Sequence, residues 1–187
     1  MKQIQTQYLS NYLVFVDVET SGFDPIRNDV TSIGAIVTDC SHNVLADFYT
    51  TVKPEINKFT SEEALVVSGF SKEILLTHKP QRQACIDFML FLKPYLEEFP
   101  QMMVSHTVNG FDWRFIEWMF RKQELNYNLY RVLSPEFQES TIKLGRQAGH
   151  ATNKLDEWAQ RLNLTFNHHN ALDDARVCFQ IHKHLSK

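Results

Sequence analysis

Hydrophobic and polar positions alternate along this chain in blocks that predict its elements. Leu13 to Val18 is an apolar run broken only at Asp17, the mark of a strand buried on both faces near the centre of a sheet. Thr20-Ser21-Gly22 closes it, and a polar turn over Phe23 to Asn28, with Asp24-Pro25, leads to a second strand over Val30 to Val37. Cys40 to Asn43 is the next turn and Val44 to Val52 the third strand, closed by Lys53-Pro54. Links this short imply antiparallel hairpins. Thr60 and Glu63 fit a capping box opening a short helix in Thr60 to Leu76, ended by Gly69. Gln81 to Glu98 is amphipathic, with Pro94 placed to kink or shorten it.

Met102 to Ser105 reads as a short strand, followed by a helix that starts near Asn109 or Gly110 and runs to Gln123. Leu125 to Glu139 reads as irregular and Ser140 to Gln147 as a short helix. Leu155 to Leu162 is amphipathic and capped by Asn153, and the last helix, within His168 to Leu185, opens near Asn170. The order β-β-β-α-α-β-α-α-α describes an α/β fold with a mixed sheet. No linker-like tract or repeat divides it, so residues 1–187 are expected to form a single domain.

Composition adds limits. With 43% hydrophobic and 22% charged residues and a net charge of -3, the chain is ordinary for a globular protein and no general polyanion binder. Nucleic acid, if it is the partner, must be held at a local site with metal ions supplying positive charge. Cys40, Cys85 and Cys178 are widely spaced and form no metal-type pair, which favours buried thiols in a reducing compartment. Met1 to Ser10 lacks an apolar core and no run reaches membrane-spanning length, so a cytoplasmic protein without membrane contact is expected.

Candidate chemistry begins inside the first strand. Asp17 and Glu19 are two apart and so leave the same face. Adjacent carboxylates repel, and a hard divalent cation between them is one solution. The other is an ion pair for one and solvent for its neighbour. Asp112, early in a helix that follows a strand, and Asp174, early in the last helix, each admit a plain reading as dipole-stabilised helix acids. His168-His169 on their own read as a loop or cap, His182 and His184 as surface, and Arg114, Arg121 and Lys122 as a solvated helix face.

Taken together, VFVDVETSGFDP, NGFDWRFI and HNALDDA resemble the three motifs of the DnaQ-like 3′-5′ exonucleases, in the branch with a catalytic histidine, over nearly the whole chain. The match extends to proofreading exonucleases of the DNA polymerase III epsilon type. The resemblance implies an α/β ribonuclease H-like fold, with a five-stranded mixed sheet flanked by helices. It implies that Asp17, Glu19, Asp112 and Asp174 hold two Mg2+ ions, which Mn2+ can replace, and that His169 deprotonates the attacking water. The His-x4-Asp spacing selects His169 over His168 and Asp174 over Asp173, and no Tyr stands where the tyrosine branch needs one.

By the same resemblance, Thr20, Ser21, Gly22 and Phe23 meet the terminal nucleotide, through backbone amides and stacking by Phe23. The second motif departs from the family pattern, with Thr107 and Val108 in place of its His-Asn pair. The expected substrate is the 3′ end of single-stranded DNA, short or frayed, with RNA as the alternative. A binding module without turnover is the rival from another class. Work alone, as a homodimer or on a polymerase all stay open.

Overall fold

The computed structural model describes residues 11–55, 71–96, 101–107, 109–152 and 154–186. Its central strand is the apolar run: β1 spans Tyr12–Thr20, with Leu13 to Val16 and Val18 buried. β2 (Val30–Asp39) pairs antiparallel with β1, and β3 (Val44–Thr51) antiparallel with β2. On the other flank β4 (Gln101–Ser105) runs parallel to β1, and β5 (Leu133–Ser140) parallel to β4. The five-stranded mixed sheet has the order β3-β2-β1-β4-β5.

β5 corrects the expectation of an irregular stretch over Leu125 to Glu139. That stretch holds a short helix, Asn126–Tyr130, and then the strand. Pro135 hid it, since proline removes a ladder donor and is confined to edges and bulges. Here it has both. β5 is an edge strand, and between the rungs Gln101–Leu133 and Met103–Gln138 one residue of β4 is opposed by four of β5, so Pro135 lies where the ladder is interrupted.

In chain order the helices are α1 (Lys72–Thr77), α2 (Gln81–Leu92), α3 (Phe111–Lys122), α4 (Asn126–Tyr130), α5 (Thr141–Gln147), α6 (Leu155–Arg161) and α7 (Ala171–Leu185). Pro94 shortens α2 as expected, turning it into a single 3-10 turn over Lys93–Tyr95. α1, capped by Ser71, was not separately expected. The capping box at Thr60 and Glu63 and the cap at Asn153 lie outside the described residues.

The parity of β1 divides the core. Val14, Val16 and Val18 pack with Phe88 and Leu92 of α2 and with Phe115, Ile116 and Phe120 of α3. Leu13 and Phe15 face the opposite way, against Cys178 and Phe179 of α7. Asp17 and Glu19 continue that odd-numbered row, so the alternation of a strand sends both carboxylates toward the face that α7 covers.

α7 reaches the sheet because of Gly34. A Cβ on Gly34 would stand 2.1 Å from the backbone carbon of Ala171 and 2.2 Å from the Leu172 nitrogen. Gly34 is the β2 partner of Asp17, so the start of α7 is seated directly beside that carboxylate. Gly34→Ala is therefore expected to lose about 3 kcal/mol of stability, at the upper end for overpacking, because backbone must move. Urea unfolding checks this; an unchanged midpoint would contradict the close approach.

Three further expectations change. His182 is buried, with no exposed surface, rather than on the surface. Its Nε2 is 2.7 Å from Glu139 and its Nδ1 2.9 Å from His42, while its ring meets Phe15 edge-on. Two paired ring nitrogens make that burial tolerable. Lys122 is no solvated residue either: its ammonium donates to the buried Asp29 carboxylate at 2.5 Å. Of the cysteines, Cys85 and Cys178 are buried but Cys40 is exposed, and none of the three is in a disulfide.

Candidate active site

Four carboxylates arrive at one end of the sheet from three elements. Asp17 and Glu19 come from the last turn-ward residues of β1. Asp112 comes from the first turn of α3, which the chain enters through Gly110 in the left-handed region (φ 61°) directly after β4. The β1–β4 ladder ends at Phe15 and Val104. Beyond it the Val18 N–H donates to Asp112 Oδ1 at 3.3 Å, and the Thr107 hydroxyl donates to Oδ2 at 3.2 Å. Thr107, where the chain departs from the family motif, thus orients a carboxylate; its neighbour Val108 lies outside the described residues.

Asp174 is set by the start of α7. The Asn170 side chain accepts the N–H groups of Leu172 and Asp173, capping the helix as its sequence position predicts. Asp174, one turn in, is buried, whereas Asp173 turns outward to Arg176. His169, just before the cap, is in the left-handed region (φ 67°), and its N–H donates to Asp174 Oδ2 at 3.2 Å. Its ring stacks on that of His168 with centroids 4.0 Å apart, and His168 Nδ1 is itself 3.8 Å from Asp174 Oδ2.

Asp17, Glu19 and Asp174 each bring an oxygen within 4.8 Å of the others, and one nitrogen each of His168 and His169 lies equally near Asp174. Asp112 falls outside this tight group, held back by its two donors, yet close enough for its charge to act on the other three carboxylates. Asp174 Oδ1 is buried with no hydrogen-bond partner among the described residues. A buried acceptor without a donor is costly. With Asp17 and Glu19 converging on the Asp174 carboxylate, this all-oxygen donor set fits a hard divalent cation.

The protonation energetics agree. Burial first, and then the neighbouring carboxylates, push Glu19 and Asp174 up to about 7 and Asp17 well above its ordinary range. Burial lifts Asp112 to about 6, against the hydrogen bonds that favour its charged form. Unfolded carboxyls titrate near ~4. Between about pH 4 and 7 the folded, metal-free protein therefore binds more protons than the unfolded chain, and its stability falls as pH rises through that window. Thermal unfolding in EDTA is expected to show a higher midpoint at pH 5 than at pH 8, and a divalent cation to restore stability at pH 8. An EDTA midpoint that rises from pH 5 to pH 8 would argue against the cluster.

The substrate-contact residues divide. Ser21 is buried, its N–H bonded to Asp29 O at 2.8 Å and its Oγ accepting the Asp29 N–H at 2.9 Å. The Thr20 hydroxyl donates to Gly22 O at 2.6 Å. Both side chains hold the loop's shape, while Phe23 stands 82% exposed at its rim and covers nothing. Gly34 and Thr107 are the parts of the site whose roles sequence reasoning missed. A glycine inside an otherwise apolar strand was the available signal for the first.

Acidic groups thus converge at the end of a mixed sheet, beside a histidine, in an arrangement suited to a divalent cation. An exonuclease family model, that of RNase T, matches residues 14–182, and the chain belongs to this family, as a DnaQ-like 3′-5′ exonuclease. A PolC-type DNA polymerase III from Thermotoga maritima is 29% identical over 172 residues, which are 90% of this chain but only 11% of the polymerase. An oligoribonuclease from Shigella flexneri is 26% identical over 134 residues, 66% of this chain and 70% of that enzyme. E. coli exonuclease I in complex with a dT13 oligonucleotide superimposes with a TM-score of 0.79 at 14% identity, covering 95% of this chain and 41% of that one. The sheet and its helices thus have the ribonuclease H-like fold. No helix among the described residues is long and apolar enough to cross a membrane.

Proposed function

We propose that this chain removes nucleoside 5′-monophosphates one at a time from the 3′ ends of single-stranded DNA. The observation that carries the reading is the convergence of Asp17, Glu19 and Asp174, whose buried Oδ1 has no partner among the described residues. With Asp112 they would hold two Mg2+ ions, or Mn2+ in their place. Such a pair, when bound, supplies an activated water and charge neutralisation at the leaving oxygen. His169, at the rim with its backbone in the left-handed region, takes the proton of the attacking water. Burial, then the adjacent His168, hold its imidazole below its ordinary pKa, so it is neutral and basic at pH 7. The backbone of Thr20 to Phe23 lies against the terminal nucleotide, and the Phe23 ring stacks on a base without selecting it.

Single-stranded DNA is favoured because the exonuclease I structure holds dT13 on the same fold and because the PolC-type relative, which matches 90% of this chain, is a DNA polymerase. That relative also supports action beside a polymerase. The oligoribonuclease likeness supports RNA as a second reading. Cysteines outside disulfides suit a reducing cytoplasm. A time course on 5′-labelled DNA and RNA of one sequence, with Mg2+ or EDTA, decides the matter. A Mg2+-dependent ladder that shortens from the 3′ end faster on DNA is expected; a faster RNA ladder would transfer the assignment, and none on either strand would refute it.

A further inference from the structure

We infer that Thr107 is a positioning residue, the middle of a hydroxyl relay that holds the Asp112 carboxylate in place to receive a cation. The inference rests on the reading of Asp112 as a metal ligand, and it adds two side chains, Thr107 and Ser105, that act only through that carboxylate.

The direction of the relay follows from which groups have protons to give. An ionised carboxylate only accepts, and a threonine hydroxyl has one proton. Thr107 therefore donates to Asp112 Oδ2 at 3.2 Å, and its oxygen accepts from the Ser105 hydroxyl at 3.1 Å. Ser105 is the buried last residue of β4, so the relay starts from the sheet itself. The Ser105 carbonyl in turn accepts the hydroxyl of Thr141, the first residue of α5, at 3.4 Å. That hydroxyl lies 3.9 Å from Cys178 Sγ on α7, one turn beyond Asp174. The support of Asp112 is thus tied to the helix that carries Asp174.

Two kinds of donor hold this acid. The Val18 N–H on Oδ1 belongs to the main chain and is there whatever side chain residue 18 has. The hydroxyls of Thr107 and, behind it, Ser105 are supplied by these side chains alone. Without the Thr107 hydroxyl the carboxylate is gripped at one oxygen and turns about that bond. Hydrogen bonds behind a metal ligand fix its orientation, and their loss typically costs about 10–100-fold in metal affinity. The departure from the family pattern at Thr107 therefore leaves the second motif's acid supported.

Calorimetric titration of Mn2+ into the full chain, without nucleic acid, is the test. Thr107→Val keeps the branched shape and removes the hydroxyl; it is expected to weaken Mn2+ binding about 10–100-fold, with Thr107→Ser close to wild type. Because the effect runs through the carboxylate, Thr107→Val should cause no further loss in an Asp112→Asn background, a cancellation that general loosening of the loop would not give. Ser105→Ala, one bond further back, should show a smaller loss with the same cancellation, and it carries the test if Thr107→Val has no cooperative urea transition. Wild-type affinity in Thr107→Val, or a loss that persists beside Asp112→Asn, overturns this inference alone. A wild-type chain that binds no Mn2+ would remove the metal reading, and the inference with it.

Discussion

Replacement of Asp17 by asparagine is expected to lower turnover by at least about a thousandfold while making the metal-free protein more stable. Both effects arise from one carboxylate. Asp17 stands on the row of β1 that faces α7, and burial followed by three like charges raises its pKa. In EDTA at pH 8 the wild type must keep these charges together without a cation, whereas the isosteric amide removes one of them. Charge stabilisation by a bound metal is worth several kcal/mol in the transition state, which sets the size of the rate loss. Unfolding with and without Mn2+ separates the effects: the variant should melt higher in EDTA and gain less from the cation. A variant that is both inactive and less stable in EDTA would mean that Asp17 supports the fold instead.

Loss of the His169 imidazole is the second large effect. His169→Ala is expected to lower kcat by about 10²–10⁴, the range for a positioned general base, with Mn2+ affinity and unfolding midpoint close to wild type. Its pKa is depressed, so the wild-type rate should fall only below the usual imidazole range as pH drops, and the variant should lose that limb of the profile. Because His168 stacks at 4.0 Å and also lies near Asp174, His168→Ala is the necessary companion. Loss of the acidic limb in His168→Ala but not in His169→Ala would exchange their roles.

β1 was legible because its apolar run leaves no choice of face, and Asp17 and Glu19 interrupt that run where no structural need places them. Asn170 and Asp174 were legible through local helix chemistry. What stayed hidden depends on distant neighbours. β5 could not be seen past Pro135, whose cost disappears only at an interrupted edge ladder. His182 and Lys122 look like surface residues until Glu139, His42 and Asp29 are placed beside them. Gly34 carried a signal, but what it admits, a helix from the far end of the chain, is known only once the chain has folded.

That seating of α7 against Gly34 has a consequence for timing. Asp17 and Glu19 precede Asp174 by about 150 residues, so an emerging chain carries an acidic strand end well before the helix that completes the cluster. Joining them is a contact of high sequence separation, the kind that forms slowly. The carboxylate cluster is therefore expected to be assembled only when α7 docks, late in folding rather than with the strand that begins it.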